Sequence, residues 1–573
     1  MYLINNSLSG ILQLPNSTHD LLQLRISNNN LNGQLPMNIS VILPRLGHLD
    51  LSNNNLEGYI PWSMGEMKSL NILDLSSNNF SGELPKPFVS GCSSLWLLKL
   101  SNNNFHGEFF PQFMNMTQLQ WLYLDNNQFS GKIQDGLRKA RFLKELDLSS
   151  NSFSGQIPDW IGNFSDLCVI VLSNNLLEGG VPVQLSNLGY LRILDISENR
   201  LSGSMASSFN LSSTVQKLYM QKNALNGSIP NAFLRITLIL DLRDNKFSGS
   251  IPIQIDHEVP SLGFFLLGGN HLEGIIPHEL CQFKYLNILD LSRNRLNGTI
   301  PSCFTNILIW VDQSYASHIS IPEYGWYLPE SASYNFVLEF EQVSFYEVFT
   351  LDTKIGFVSK NRYESYKGRI LNYMLGIDLS SNELTGDIPT DIGNLQRIIA
   401  MNLSHNFLSG SIPESFSNLT SIESLDLSHN KLSGRIPPQL TQLNNLEIFN
   451  VSFNNLSGLV PDKRQFGTFV ESSYGGNLGL CGPQIKRSCS SEPTTPPTTS
   501  SGAGEDQEDE YAIDMVSFYW SLLASYVTTI MGFALILWLN SYWRKQWFCF
   551  IDACIISSYC WILRNVFHRY DDI

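Results

Sequence analysis

The residue types that most often carry out catalysis recur together in this chain. Serine, histidine and aspartate all stand within "LDLSHN", which begins at Leu425, and such residues can act as nucleophile, base and acid. The same letters occur wherever a longer pattern repeats, so the repeat explains them without catalysis. The sequence has neither a nucleophile elbow nor a phosphate-binding loop. We therefore predict no catalytic residues and expect that the protein is not an enzyme.

Metal, cofactor and nucleic-acid binding are also disfavoured by composition. The nine cysteines are thinly spread and include no CxxC pair, so we predict no metal site and no cofactor. The chain has 36 lysines and arginines against 51 acidic residues, for a net charge of −15. Nucleic acid is therefore excluded as a partner, because phosphate binding needs a basic surface.

One frame, L-x-L-x-x-N-x-L/F-x-G, recurs along most of the chain. Its asparagine appears thirteen times from Asn6 to Asn294 and four times from Asn382 to Asn454, at spacings of 22 to 25 residues. This is the leucine-rich-repeat signature. It predicts an α/β-type solenoid, a leucine-rich-repeat superhelix with a parallel β-sheet on its concave face, because no single unit can bury its apolar side alone.

Each position of the frame has a physical role. In "LDLSSN", Leu73 faces the core and Asp74 faces out, because side chains alternate along a strand. The amide of Asn78 can satisfy backbone groups where the chain turns away from the strand. Gly82 permits a backbone conformation that other residues rarely adopt.

The frame is interrupted once. From Asn294 to Asn382 is 88 residues, and the extra segment is rich in aromatic residues, as in "EYGWYLPESASYNFVLEFEQVSFYEVF". A structureless loop of that size inside a rigid array would be unusual. We expect an island that folds against the solenoid and offers an interaction surface. The alternative is a tolerated insertion with no function.

The C-terminal part of the sequence predicts a membrane anchor. Residues 515–539 carry no charge and are long enough to span a bilayer. Arg544 and Lys545 follow them, which places the C-terminus in the cytosol and makes membrane lipid a partner. Small residues at Ala524, Thr528 and Gly532 give one face for helix pairing, although chance can also produce this spacing.

Two stretches resemble a known family, the plant receptor-like proteins with leucine-rich-repeat ectodomains. They are "YESYKGRILNYMLGIDLSSNELTGDIP" and "LCQFKYLNILDLSRNRLNGTIPSCF". The resemblance implies that the island and its flanking repeats recognise a ligand and a co-receptor, which makes Tyr363, Tyr366 and Lys367 candidates. The family usually has an N-terminal cap with its own cysteine pair, which this sequence lacks, so we expect either an unprotected first coil or a start further upstream. The predicted topology also requires a secretory signal before the residues given.

These observations predict seven consecutive segments along the chain. They are leucine-rich repeats at 1–301, the island at 302–372, four repeats at 373–460, a C-terminal cap with a cysteine pair at 461–490, an acidic disordered spacer at 491–514, the transmembrane helix at 515–539 and a cytosolic tail at 540–573.

Ligand-binding candidates come from outward strand positions that depart from the usual Asp and Ser. Rigid aromatic side chains beside polar groups are typical of binding hot spots, and the alternative is drift on a solvated face. The candidates in the repeats are Trp121, Tyr123, Asp125, Lys217, Tyr219, Gln221 and Arg243.

Two disulfides and several glycans are predicted. Cys281 and Cys303 lie on consecutive coils, and Cys481 and Cys489 close the terminal coil. Sequons at Asn402 and Asn450 fall on strands, where neighbouring coils would block a glycan. Ten other sequons are glycosylation candidates: Asn16, Asn38, Asn79, Asn115, Asn163, Asn210, Asn226, Asn297, Asn418 and Asn455.

The sequence therefore predicts a single-pass plasma-membrane receptor-like protein, with its N-terminus outside the cell. Its ectodomain would bind an extracellular peptide, protein or carbohydrate pattern of unknown identity. Because no kinase signature follows the predicted span, signalling would pass through a transmembrane receptor kinase or co-receptor, with defence as the first choice. The alternatives are a developmental peptide co-receptor, a membrane-tethered inhibitor of microbial wall-degrading enzymes, or a non-functional truncated relative.

Overall fold

The structure is a computed structural model of the chain. It describes residues 1–14, 17–205, 209–212, 214–236, 238–252, 262–311, 354–359 and 362–489. Residues 1–490 group into one compact unit, and everything below concerns that unit.

The first sheet contains the "LxL" part of each repeat. Its described strands are three residues long and all parallel, and each pairs with the strand of the next coil. In chain order they are Gln23–Arg25, His48–Asp50, Ile72–Asp74, Leu97–Lys99, Trp121–Tyr123, Glu145–Asp147, Val169–Val171, Ile193–Asp195, Lys217–Tyr219, Ile239–Asp241, Phe264–Leu266, Ile288–Asp290, Gly376–Asp378, Ala400–Asn402, Ser424–Asp426 and Ile448–Asn450.

A second parallel sheet follows the frame asparagine on each coil. Its strands are Ser9–Ile11, Asn30–Gly33, Asn55–Gly58, Asn79–Gly82, Asn104–Glu108, Gln128–Lys132, Ser152–Gly155, Leu176–Gly179, Arg200–Ser204, Ala224–Gly227, Lys246–Gly249, His271–Ile275, Arg295–Gly298, Glu383–Asp387 and Phe407–Ser409. A separate three-stranded sheet of Ser433–Gly434, Asn455–Leu459 and Gly479–Cys481 ends the described array.

Short helices lie on the side of each coil opposite the first sheet. Three of the described helices are α-helical: Ile39–Ile42, Lys86–Gly91 and Leu308–Val311. The others are single 3-10 turns, many of them starting just after a proline: Trp62–Glu66, Asp135–Lys139, Asp159–Asn163, Val183–Asn187, Asn231–Arg235, His278–Gln282, Ser302–Asn306, Gly368–Asn372, Thr390–Asn394, Glu414–Asn418, Pro438–Gln442, Arg464–Gly467, Glu471–Ser473 and Pro483–Ile485.

The frame asparagines form a buried ladder between the two sheets. The Asn78 amide nitrogen donates to the carbonyls of Leu51, Leu75 and Ser76, at 2.9, 3.2 and 3.1 Å. Its oxygen accepts from the Leu56 backbone N–H at 3.0 Å. One side chain therefore satisfies four backbone groups on two coils, which is why the frame needs an amide at this position.

One apolar core runs between the sheets and the helices, from Leu24 to Leu480. It includes a row of phenylalanine rings on four successive coils. Phe80 and Phe105 have centroids 6.2 Å apart, and Phe105 and Phe129 are 6.0 Å apart. Stacking of coils buries an apolar layer that a single coil would leave in water.

The first sheet continues across the insertion. Strand Ile288–Asp290 pairs directly with strand Gly376–Asp378, although 88 residues separate their frames. Between them, Lys354–Ser359 and Arg362–Lys367 form an antiparallel hairpin, hereafter the island hairpin. Residues 302–311 lie in the main core through Phe304, Ile307 and Trp310. They therefore complete the thirteenth coil, although the sequence assigned them to the island.

A terminal coil continues the asparagine ladder beyond the four predicted repeats. The Asn477 amide donates to the Val451 and Tyr474 carbonyls, both at 2.9 Å, and accepts from the Leu456 N–H. The segment around it, "YGGN", lacks the leucines of the frame. The predicted cap therefore contains one further, degenerate repeat.

In the described ranges no helix combines the length and the apolar character needed to cross a bilayer. The predicted span at 515–539, with Ala524, Thr528 and Gly532, lies outside those ranges, as do the spacer and the tail.

Candidate ligand groove beside the island hairpin

The island hairpin lies on the outer face of the first sheet, the face formed by the first and third residues of each strand. Ile355 and Phe357 are 0% and 2% exposed. They pack on a second apolar cluster, separate from the main core, that includes Tyr219, Ile239, Phe264, Leu266, Ile288 and Ala400.

This apolar seat exists because the outward positions change character. Strand Phe264–Leu266 is apolar at both outward positions, where most other strands of the first sheet have Asp or another polar residue at the third position, and Ile239 and Ile288 flank it at the first position. Burying each hairpin side chain contributes about 1.5–3 kcal/mol. Gly376 belongs to the same fit, because a Cβ at that position would lie 2.5 Å from the Phe357 ring. The contact therefore requires a glycine in the facing strand.

Arg243 ties the hairpin to the sheet by charge and hydrogen bonding. Its side chain is 6% exposed, and its Nε and Nη2 atoms donate to the Asp241 carboxylate at 2.9 and 2.5 Å. Nη1 donates to the Gly356 carbonyl of the hairpin and lies 3.7 Å from Asp290. The planar guanidinium thus joins two strands and the hairpin at one point.

A groove of about 570 Å³ opens on the outer face beside the hairpin. Two hairpin residues, Gly356 and Ser365, line one end, and the coils from Asp125 to Asp244 supply the remainder. Val171 and Ile193 give the lining an apolar patch, whereas most of it is polar. A concave, mixed surface of this size is suited to a ligand of a few residues.

The groove has an acidic character. Asp125, Asp147 and Asp195 line it and make no ion pair within the described residues. Burial, followed by repulsion from Asp125, raises the pKa of Asp147 to about 7. Burial likewise raises the pKa of Asp195. Burial is the largest cause of both shifts, so these carboxyl groups keep their protons to a higher pH than a free aspartate does, and a cation placed beside them would favour their charged form.

The groove's cationic residues lie mainly toward the hairpin. Burial lowers the pKa of Lys217 to about 8. Lys222 pairs with Glu198 at 2.6 Å, and Arg243 pairs with Asp241. The lining is therefore acidic toward one end and mixed toward the other.

The structure brings five of the predicted ligand-binding residues to this groove and separates two from it. Asp125, Lys217, Tyr219, Gln221 and Arg243 line it. Arg243 is nevertheless covered by the hairpin, so it stabilises the wall of the groove and its charge is not exposed to a ligand.

Trp121 and Tyr123 form a separate cluster on the neighbouring coils. The Trp121 ring lies edge-on to Trp96, with centroids 5.3 Å apart, and the Lys144 ammonium lies 5.0 Å from the Trp121 centroid. The Tyr123 hydroxyl donates to the buried Glu145 carboxylate at 2.5 Å. These contacts give both aromatic residues a packing role.

The island candidates lie on the second strand of the hairpin. Tyr366 packs partly against the apolar seat, and Lys367 is exposed. Tyr363 pairs with Val358 in the hairpin register, and its side chain lies outside the described part.

Sequence reasoning missed the apolar seat and Glu145. The signal was present, because Phe264, Leu266 and Ile288 occupy outward positions where the frame tolerates polar residues. Glu145 likewise occupies an outward position, is 2% exposed and has its pKa raised by burial to about 7.

Both predicted cysteine pairs are disulfide bonded in the structure. Cys281 and Cys303 have Cα atoms 5.8 Å apart, and Cys481 and Cys489 have Cα atoms 5.2 Å apart. Cys92 is a free, buried thiol and Cys168 a half-buried one. No cluster of metal-ligating side chains occurs among the described residues.

Family models for the leucine-rich repeat match several parts of the chain. One matches residues 141–201 and 375–432, and another matches 45–67, 69–90, 118–140 and 285–307. Together with the two parallel sheets and the asparagine ladder, these matches define a leucine-rich-repeat solenoid.

The sequence relatives are plant proteins. Receptor-like protein 56 of Arabidopsis thaliana is 45% identical over 349 residues, covering 56% of this chain and 36% of the relative. Receptor-like protein 45 of the same plant is 53% identical over 291 residues, covering 48% and 29%. The chain thus spans about a third of the length of these curated relatives. Over the matched residues it is similar to plant leucine-rich-repeat receptor-like proteins.

A solved structure has a similar fold. A plant peptide hormone receptor, RGFR1 in complex with RGF2, superimposes with a TM-score of 0.66 at 29% identity, covering 84% of this chain and 66% of that one. The fold of that receptor's repeats is therefore shared by this chain.

Proposed function

We propose that this chain is a cell-surface receptor whose repeats bind an extracellular peptide in the groove beside the island hairpin. The single observation that carries the proposal is the groove itself, a site of about 570 Å³ built jointly by the first sheet and the hairpin. The similar receptor RGFR1 was solved with RGF2 bound, which supports a peptide as the ligand class.

The charge of the groove narrows the ligand further. Asp125, Asp147 and Asp195 lie on coils within a span of three strand spacings, or roughly 14 Å. An extended peptide of about four residues covers that distance. We therefore propose a ligand segment that carries at least one Lys, Arg or free amino terminus.

In this proposal the receptor recruits a transmembrane receptor kinase, which transmits the signal. The biological process that we propose first is the perception of a defence-related ligand. The plant receptor-like relatives support a receptor role. A co-purified kinase would support this arrangement, whereas a wall-degrading hydrolase captured without a kinase would support the inhibitor alternative.

The experiment compares two tryptophan substitutions on one coil. Ser173 lines the middle of the groove, whereas Asp166 is exposed on the same coil away from the groove and outside the Asn163 sequon. Tagged full chains are purified from plant membranes and incubated with the peptide fraction of plant and microbial extracts. Bound peptides are identified by mass spectrometry and their affinities are then measured with synthetic copies.

The proposal expects peptides that bind the wild type and Asp166→Trp equally but bind Ser173→Trp at least about tenfold more weakly. Equal binding by both variants would place the ligand elsewhere on the molecule. Absence of any specifically bound peptide would contradict the ligand class.

A further inference from the structure

The disulfide between Cys281 and Cys303 has a histidine beside one of its two sulfur atoms. His278 begins the 3-10 turn His278–Gln282 that contains Cys281, and Cys303 lies in the turn of the next coil, Ser302–Asn306. The His278 Nδ1 atom lies 3.5 Å from Cys303 Sγ. With its proton on Nδ1, the imidazole can donate an N–H to that sulfur.

The two sulfur-bearing residues differ in their access to solvent. Cys281 is 5% exposed, whereas Cys303 is half-buried and His278 is exposed. A small thiol in solution can therefore reach the Cys303 sulfur, while the Cys281 sulfur stays covered. Reduction would leave an accessible thiol beside a histidine and a covered thiol behind it.

The position of the histidine favours reaction at Cys303. The thiolate, and not the thiol, attacks a disulfide, and a histidine cation next to a thiol favours the thiolate form. Cys303 therefore combines access with activation, whereas Cys281 is placed to close the bond again.

The bond can open without unfolding its coil, because the segment that follows it is held by other contacts. Phe304 and Trp310 are fully buried, and their ring centroids are 5.9 Å apart. The Trp310 indole N–H donates to the Asn287 carbonyl at 3.4 Å, and the Arg397 guanidinium donates to the Ile309 carbonyl at 2.8 Å. A reduced pair would thus stay aligned for the bond to form again.

We propose that Cys281 and Cys303 form a reversible thiol–disulfide exchange site for small thiols of the glutathione class. Cys303 is the sulfur that reacts with the small thiol, and His278 stabilises its thiolate. Cys303 lies on the last coil before the insertion, so the redox state of the site decides whether the two helical turns are covalently linked there. The site does not depend on a peptide bound in the groove.

The exchange has two steps that balance. A glutathione thiolate attacks Cys303 Sγ and forms a mixed disulfide, while the bond to Cys281 breaks and its electron pair goes to Cys281 Sγ, which takes up a proton. A second glutathione thiolate attacks the glutathione sulfur of the mixed disulfide. Oxidised glutathione leaves, and the electron pair goes to Cys303 Sγ beside His278. The disulfide gains two electrons, two glutathione molecules are oxidised, and the reverse reaction begins with attack of the Cys303 thiolate on oxidised glutathione.

Trapping the mixed disulfide tests which sulfur reacts. The full chain is purified from plant membranes, exposed briefly to reduced glutathione near neutral pH and quenched with N-ethylmaleimide, and its peptides are analysed by mass spectrometry without reduction. We expect glutathione on Cys303 and maleimide on Cys281. Glutathione on Cys281 alone, or no reaction until denaturant unfolds the chain, would show a purely structural crosslink and overturn the proposal.

A set of variants tests the role of the histidine. In a Cys281→Ser background Cys303 is a free thiol, and its rate of mixed-disulfide formation with oxidised glutathione is measured near pH 7. His278→Gln should slow that rate at least about threefold, whereas His278→Lys, which keeps a cation, should retain most of it. The matched control is His271→Gln, an exposed histidine on the second sheet of the same coil, and it should leave the rate unchanged. Equal rates with and without His278 would refute its role in the exchange.

Discussion

Replacing Arg243 by alanine should release the island hairpin from the sheet while leaving the repeats folded. The guanidinium is buried and serves Asp241, Asp290 and the Gly356 carbonyl. Without it, two buried carboxylates lose their cation and the carbonyl loses its donor. Breaking a buried ion pair costs about 3–5 kcal/mol, of which part is recovered if Asp290, whose pKa is already raised by burial, takes up a proton.

A loss of about 3 kcal/mol corresponds to a rise of about a hundredfold in the population of the detached hairpin. The apolar seat opposes detachment through Ile355 and Phe357, so we expect opening without global unfolding. Hydrogen–deuterium exchange measures this locally. Amides of 354–359 and 362–367 should exchange about a hundredfold faster than in the wild type, and those of the distant strand Ile72–Asp74 should not change.

Arg293 provides the matched control. It pairs with Asp244 at 2.8 Å, but both side chains are substantially exposed, at 58% and 40%. Removing an exposed pair costs at most about 1 kcal/mol, so Arg293→Ala should leave hairpin exchange nearly unchanged. If Arg243→Ala leaves hairpin protection at the wild-type level, the assignment of Arg243 as the hairpin anchor is wrong.

Three further predictions concern the scaffold. Asn103→Leu should destabilise the protein by about 3 kcal/mol in denaturant titrations, because the Asn103 amide donates to three buried carbonyls. The same change at exposed Asn104 should have little effect on stability. Equal effects of the two changes would refute the structural role of the asparagine ladder. Burial and the charge of Asp290 raise the pKa of Asp378 to about 7, so the contribution of this carboxyl group to stability should be largest below about pH 4 and should be lost, by up to about 4 kcal/mol, as pH rises to 7. Asp378→Asn should flatten that fall in thermal melts, and an unchanged pH profile would contradict it. Replacing both cysteines of the bond between Cys281 and Cys303, which closes a 22-residue separation, should cost about 3 kcal/mol; an unaltered melting temperature would count against that bond.

The regular part of the fold could be predicted from the sequence because every coil repeats the same residue pattern and therefore forms the same local structure. Period-two alternation in "LDLSSN" predicts both the strand and the facing of Leu73 and Asp74, and the amide of Asn78 forms the backbone hydrogen bonds expected of it. The degenerate coil at Asn477 was missed because it retains the asparagine but not the leucines.

The site could be predicted only in part, because it depends on a contact between segments far apart in sequence. Arg243 and Gly356 are separated by 113 residues. In the sequence, an outward arginine that binds a ligand cannot be told from one that is covered by a hairpin. The run of apolar outward residues at Phe264, Leu266 and Ile288 signalled a covered surface, but no local pattern specifies what covers it.

Photo-crosslinking from the groove tests the central claim most directly. A benzoylphenylalanine residue is placed at Ser173 or, away from the groove on the same coil, at Asp166 in the whole chain. After incubation with a peptide that binds the wild type, irradiation should attach that peptide to the variant labelled at position 173 and not to the one labelled at 166. Attachment at 166 alone, or at neither position while the peptide remains bound, would contradict a ligand groove beside the island hairpin.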